Sequence, residues 1–386
     1  MQISEADALR IRKRFRVFER KIYVNSCSQG ALSDSVEAAL TDLVAGWHRD
    51  GSPWELWVQK YEELRTAFAG MIGAEKEEVA VVPSASAGIN AIASAVDFRA
   101  RPNVVLGEFD FPTMGHVWLA QRPRGANVEF VAADGNRIPV EGYERAVNGE
   151  TLIVPVAHIS FLNGFRSDVK RIVRIAHAQG ALAMLDDYQD CGTRPVNVKE
   201  LDLDFYVSGA LKYLLSTSGI AFLYVRRELI GRLTPTISGW FGQTNPFAFD
   251  VKSFDPAPTA RRFEAGTPPI PNVYATLASV NLLREIGLDV VANRVQAIVG
   301  KLLDDAERME LRVKTPRDSV GPLVVFQTKD SDAVVAKLAA ENIVASNRRD
   351  GVRVSFHVYN TAEDAAAVLD VFRKNVDLMV RGCAAK

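Results

Sequence analysis

Seven short apolar runs spaced along residues 79–225 constrain this chain more than any other feature. Runs at 79–82, 103–106, 128–131, 151–154, 181–185, 205–207 and 220–225 read as β-strands, and helical stretches at 87–96, 143–147 and 169–179 separate several of them. A strand that is apolar on both faces must be covered on both. This alternation therefore predicts a mostly parallel, doubly wound α/β sheet. Beyond it, 241–271 is rich in Pro, Gly and Phe without periodicity and reads as a long functional loop region. Helical stretches at 273–286 and 289–309 follow. Strand-like runs at 323–326 and 352–356 then alternate with helices at 332–341 and 362–376, as in a smaller α+β domain.

A chain of 386 residues suits one large and one small domain, and with 48% hydrophobic residues it can bury a substantial core. Lys and Arg number 46 against 47 Asp and Glu, a net charge of -1, which removes the electrostatic case for nucleic acid or an anionic membrane. The charged start, Met1 to Arg14, lacks the apolar core of a signal peptide, and no apolar run approaches a membrane span. Cys27, Cys191 and Cys383 stand far apart with no CxxC pair, which argues against a zinc site or a disulfide framework. A soluble cytoplasmic protein without a metal is the expectation.

Asp186 stands where the run 181–185 stops, and Lys212 follows it by 26 residues, just after the run 205–207. Open α/β sheets place ligands at the carboxyl ends of their strands. Two neighbouring strand ends would thus aim a carboxylate and an amine into one crevice. Pyridoxal phosphate (PLP) needs that pair: a lysine at its aldehyde, and a carboxylate that keeps the ring nitrogen protonated. An ordinary surface lysine and a strand-end aspartate fit the same residues when these are read alone.

Other segments are equally two-sided in isolation. Pro83 to Asn90 joins a strand to a helix with small hydroxyl residues that would admit a phosphate to backbone N–H groups, or would merely cap the helix. No GxGxxG or GxxxxGK[ST] is present, so a dinucleotide site or P-loop has no support. Phe111, before a turn proline, could stack on a flat ring or fill a core. In Gly266-Thr-Pro268, Thr267 could cap a helix with Pro268 in its first turn, or reach an anion. Arg353 could take a carboxylate in a two-pronged bond or be a strand-edge charge. His158 and His357, in or beside strands, read as satisfied core histidines.

Taken in order, these segments resemble the class V aminotransferase family of fold-type-I PLP enzymes, which includes cysteine desulfurases, kynureninase and isopenicillin N epimerase. The resemblance runs from about Tyr23 to about Val376, and Arg262-Phe-Glu-Ala-Gly-Thr-Pro268 is its most specific piece, followed by Asp186-x-x-Gln189 with Lys212 downstream. It implies an aspartate-aminotransferase-like α/β fold with a large domain at 21–287, a small one at 288–386, and 1–20 associated with the small domain. It also implies PLP as cofactor, with Lys212 as the Schiff-base lysine and Asp186 as partner of the ring nitrogen. By the same resemblance Gln189 meets the ring hydroxyl, Ala85 and Ser86 form the phosphate cup, and Phe111 stacks on the ring. Thr267 would reach the phosphate of a partner subunit, which implies a homodimer, and Arg353 would hold the substrate α-carboxylate. The loop Tyr23 to Leu32, Asn25 within it, would line the substrate side. Gln29, Trp54 and Asn163 are further candidates to face the substrate.

Departures from the family pattern narrow the reaction. The stretch Asn342 to Gly351 carries neither the desulfurase cysteine nor room for its loop. Gln189 replaces the histidine of kynureninase, and Leu211 replaces the tyrosine before its lysine. The usual Ser-x-His-Lys becomes Gly209-Ala-Leu-Lys212, with Ser208 one place back as the candidate phosphate contact. An aminotransferase or C–S/β-lyase acting on a small α-amino acid is the favoured expectation. Epimerisation is the alternative, and a non-catalytic scaffold stands against the joint retention of Lys212, Asp186 and Arg353.

Overall fold

The computed structural model describes residues 5–382, so Cys383 and the first four residues of the charged start lie outside it. Helix α1 (Glu5–Arg12), strand β1 (Ile22–Tyr23), helices α2 (Asp34–Asp50) and α3 (Trp54–Met71), and two 3-10 turns precede the first strand of the main sheet. The alternating part follows as β2 (Val79–Val82), α4 (Ala85–Ala95), β3 (Asn103–Gly107), α5 (Pro112–Leu119), β4 (Asn127–Val131), α6 (Val140–Ala146), β5 (Thr151–Ala157), α7 (Val169–Ala178), β6 (Leu182–Asp186), β7 (Phe205–Gly209) and β8 (Ala221–Val225). These strands form one seven-stranded sheet in the order β2-β8-β7-β6-β5-β3-β4, with β8 antiparallel to both neighbours and the rest parallel. The mostly parallel α/β sheet expected from the sequence is what forms. Alternate residues of one strand enter two different cores: Tyr206 packs on one face of the sheet, Phe205 and Val207 on the other. That is why the strands read as unbroken apolar runs.

After a short helix α8 (Arg227–Ile230), residues 231–269 are irregular but for three 3-10 turns, as the composition of the segment suggested. Helix α9 (Ile270–Ile286) ends at Gly287, whose φ of 88° reverses the chain into α10 (Leu288–Arg308). The last part contains β9 (Leu323–Gln327), α11 (Ser331–Ala340), β10 (Ile343–Val344), β11 (Ser346–Arg348), β12 (Gly351–Ser355) and α12 (Ala362–Lys374). Here β11, β12 and β9 make a small antiparallel sheet. The two ends of the chain meet: β1 pairs in parallel with β10, and Arg12 bonds Asp364 at 2.7 Å. No described helix is long and apolar enough to cross a membrane.

Thr267 does not cap α9, contrary to one reading of Gly266-Thr-Pro268. The helix begins three residues later, with Pro269 as N-cap and no side-chain cap bond. Pro268, Pro269 and Pro271 lack N–H groups, so little remains for a threonine hydroxyl to satisfy there. Thr267 itself is exposed.

Candidate active site

Strand register brings Asp186 beside Ala157 on one side and Val207 on the other, so β5, β6 and β7 end together. Lys212 lies just beyond β7 in a segment, 210–219, without regular structure. Other parts of the chain hold that segment. The N–H of Gly30 donates to the carbonyl of Leu211 at 2.7 Å, and a Cβ on Gly30 would stand 2.3 Å from the Lys212 carbonyl oxygen. Gly192, at φ 102°, passes so close to Tyr213 that a Cβ would stand 2.2 Å from its carbonyl oxygen. That same oxygen accepts from His357 Nε2 at 3.0 Å, while His357 Nδ1 accepts from the N–H of Val358 at 2.8 Å. Burial pulls the imidazole down to about 4, so it is neutral, as a satisfied core histidine should be.

A cavity of about 240 Å³ opens at these strand ends, lined by Ser84, Ala85 and Ser86, by Phe111 and Thr113, and by Asp186, Tyr188, Gln189 and Lys212 among others. Ser84 caps α4 by accepting from Ala87 N–H at 3.1 Å, which leaves the Ser86 hydroxyl to pair with Thr113 at 3.1 Å. The Lys212 amine sits between two aromatic rings, 4.3 Å from the centre of Tyr188 and 5.6 Å from that of Phe111. Burial lowers its pKa to about 8, against the opposing pull of Asp186 and Cys27. Burial likewise raises Asp186 to about 6, although the Tyr188 N–H donates to it at 3.0 Å and Lys212 attracts it. An amine and an acid both displaced toward neutrality in one cleft mark a functional site.

Gln189 donates to the Cys27 carbonyl at 3.3 Å, but its buried Oε1 has no partner among the described residues. Arg353 on β12 is 1% exposed, and its hydrogen bonds go to neutral oxygens: Phe161 carbonyl at 3.0 Å, Ser28 Oγ at 2.8 Å and Ser346 Oγ at 3.2 Å. A buried guanidinium among neutral acceptors is short of an anion.

Several candidate positions fall elsewhere. Ser208 does not line the cavity: strand parity turns it to the opposite face from Gly209, where it is fully buried and bonds the Gly209 carbonyl at 3.3 Å. Asn163 is a turn residue, holding Asn136 O at 2.7 Å and accepting from Phe165 N–H at 3.1 Å. Trp54 packs on Trp57 and Trp240 rather than in the cavity. Asn25 bridges to Ser355, and Gln29 bonds the Ser216 carbonyl at 3.0 Å, so both brace the loop beside the lysine. Thr267 and Arg262 are not in this chain's cavity; Arg262 is tied to the carbonyls of Ala257 at 2.8 Å and Ile230 at 2.7 Å.

Other groups at the site escaped the sequence reading. Cys27, apart from Lys212 in sequence, is buried close enough to bear on its charge. Asp110 accepts from Ala157 and Gly107 N–H at 2.6 and 2.9 Å, joining β3 to β5, and burial raises it to about 7 with Asp186 adding to the effect. Behind Asp186, His158 bonds Asp187 at 2.6 Å, Tyr206 donates to Asp187 at 2.8 Å, and Arg194 pairs with Asp190 at 2.9 Å. Against burial, the Asp187 bond and nearby carboxylates raise the His158 pKa overall. Asp187, the second acid of Asp186-Asp187, is thus spent on this buried network.

The class-V aminotransferase family model matches residues 31–368. An uncharacterised aminotransferase of Bacillus subtilis, YcbU, is 33% identical over 360 residues, covering 93% of this chain and 95% of that protein. Among solved structures, the apo cysteine desulfurase of Thermococcus onnurineus superposes with a TM-score of 0.87 at 23% identity, over 98% of this chain and 99% of that one. The cystine C–S lyase C-DES, solved as a lysine-to-alanine mutant with glycine covalently linked to its PLP, superposes with a TM-score of 0.86 at 18% identity, over 93% of this chain and 98% of that one. The fold is therefore that of the fold-type-I enzymes, and the chain belongs to the class-V aminotransferase family of PLP-dependent enzymes.

Proposed function

We propose that this enzyme acts on a small α-amino acid, by transamination or by C–S/β-elimination, with PLP held over the ends of β6 and β7. Buried Arg353, with no carboxylate partner among the described residues, carries the reading, because it supplies the missing counterpart of an amino acid beside a lysine of lowered pKa. The residues around the cavity have the chemistry PLP requires. Lys212 offers an amine for the aldehyde, Asp186 a carboxylate for the ring nitrogen, and the orphaned Gln189 Oε1 an acceptor for the ring hydroxyl. The bare N–H groups at the start of α4, with Ser86 Oγ, suit the phosphate. When bound, the cofactor supplies an electron sink for the bond broken at Cα.

Everything else falls to the chain itself. The Lys212 amine, its pKa lowered to about 8, exchanges its proton readily near physiological pH and can take a proton from Cα and return it. Phe111 and Tyr188 shield that amine from water. Arg353 fixes the carboxylate, which decides which bond at Cα stands upright over the cavity. Epimerisation would need a second proton carrier on the opposite side, and the Cys27 thiol is the candidate for that alternative. Incubating the purified protein with a panel of amino acids, and assaying keto acid, sulfide and racemised product, separates the three outcomes. If none is released from any amino acid, this function is wrong.

Arg353 should set the need for an α-carboxylate. Its two parallel charge-assisted bonds to a carboxylate are together worth about 1.5–3 kcal/mol net, so Arg353→Ala should raise KM roughly tenfold to a hundredfold. Arg353→Lys keeps the charge but not the fork and should recover part of the loss. PLP binding should not change. An Arg353→Ala enzyme with unaltered KM, accepting amines as readily as amino acids, would take this residue out of the site.

A homodimer is part of the proposal. Thr267 is exposed, and a neighbouring band of Phe247, Phe249, Val251 and Phe254 is exposed by 46, 71, 94 and 59%. Such apolar surface is covered in most soluble proteins. Sedimentation should report a dimer, and mixing inactive Lys212→Ala with an inactive Thr267 variant should restore part of the activity through hybrid sites. A fully active monomer would contradict the shared site.

A further inference from the structure

Gly209 is bare for a reason that can be read from the geometry. A Cβ placed on it would stand 2.1 Å from Tyr188 Cζ and 2.2 Å from Tyr188 Oη. The tyrosine hydroxyl therefore occupies the space that a side chain at position 209 would fill. Gly88 of α4 locates that space. A Cβ on Gly88 would touch Val207 Cγ2 at 3.6 Å, so α4 crosses β7 at Val207. Gly209 shares the face of Val207 and lies about 6.6 Å further along the strand. Ala85 lies about 4.5 Å from Gly88 in the same direction, since both run toward the open end of the sheet. Tyr188 Oη is thus delivered to the level of the first turn of α4. Consistently, Tyr188 packs with the core on that face and lines the same cavity as Ser84, Ala85 and Ser86.

We propose that Tyr188 is a cofactor-binding residue, its hydroxyl donating to the phosphate of PLP in place of a hydroxyl on residue 209. The inference rests on the placement of PLP given above. Burial, and then the nearby Asp186 carboxylate, raise the tyrosine pKa, so the group stays protonated and able to donate. Leu211, which also lines the cavity, has no polar atom to offer, so Tyr188 is the further donor beside the α4 amides, Ser86 and Thr113. The same ring lies 4.3 Å beneath the lysine amine. One residue would support the reactive nitrogen with its face and hold the anion with its edge.

The test compares PLP with pyridoxal, which lacks the phosphate, by titrating cofactor-free full-length protein and following quenching of its fluorescence. A hydrogen bond to a charged acceptor is lost in Tyr188→Phe, which should raise the Kd for PLP about tenfold while leaving that for pyridoxal within about twofold. Gly209→Ser alone should collide with the ring and weaken PLP binding. In a Tyr188→Ala background the same Gly209→Ser should restore the preference for PLP over pyridoxal. Tyr188→Phe binding PLP as the wild type does, or losing PLP and pyridoxal equally, would overturn the role. Wild-type protein that binds pyridoxal as tightly as PLP would overturn the placement of the phosphate itself, and this inference with it.

Discussion

Lys212→Ala should lower turnover by about 10⁴-fold or more, since a positioned proton carrier alone contributes about 10²–10⁴ and the covalent role is lost with it. The variant should still take up PLP through Asp186, Gln189 and the α4 turn, but without the borohydride-stable attachment that peptide mapping of the wild type should find on Lys212. Lys212→Arg should rescue nothing, because a guanidinium does not surrender its proton near neutral pH. A second signature comes from the lowered pKa. Only the neutral amine attacks an aldehyde, so PLP capture by cofactor-free protein should quicken from pH 6 upward and level off above about 8. Attachment to any other lysine, or capture with a midpoint near 10, would sink the assignment.

Asp186→Asn should cost about 10²–10³ in turnover, on the scale seen when one preorganised electrostatic partner is removed. Its effect on folding should run the other way. Burial lifts the Asp186 pKa to about 6 from an ordinary 3.8, so the stability linked to its proton is full below 3.8 and is lost as pH climbs through 6. At pH 7.5 the cofactor-free wild type bears the whole cost of a buried carboxylate, about 2 kcal/mol after allowing for water in the cavity. Asparagine can still accept the Tyr188 N–H and does not titrate. Cofactor-free Asp186→Asn should therefore unfold at higher urea than wild type at pH 7.5 and at nearly the same urea at pH 4.5. Near wild-type turnover would mean that another group, such as Asp110, holds the ring nitrogen.

The central sheet was legible because both of its faces are buried, so its strands leave an unbroken apolar trace. Helices α2 and α3 left a weaker one: α2 buries Val36 and Leu43 yet exposes Val44 and Trp47 by 51 and 59%, which blurs its period. Asp186, Gln189 and Lys212 could be singled out because short local spacing ties them to strand ends. Cys27 could not, since only tertiary folding brings its loop to the lysine. Ser208 shows a different limit: moving one place along a strand changes the face, so a hydroxyl shifted by one residue is no substitute for the original. Tyr188 stood in plain view between two motif residues, but its meaning depends on the empty Cα of Gly209, 21 residues away.

The segment that carries Arg353 is tied at three positions to the loops around the cavity. Arg353 grips Phe161 and Ser28, Ser355 Oγ accepts from Cys27 N–H at 2.9 Å, and His357 holds the backbone of Tyr213 next to the lysine. A rocking motion that parted the two sheets would have to break the Arg353–Phe161 and His357–Tyr213 bonds, which run to the loops after β5 and β7. On the role proposed for Arg353, the guanidinium that would meet the substrate carboxylate is already fixed by Phe161, Ser28 and Ser346, so the ordering it requires was completed when the chain folded. Selectivity in this enzyme would then be read by rigid fit at the carboxylate and by movement only in the outer loops, so chemical trimming of the substrate's far end should be tolerated more readily than any change at its Cα.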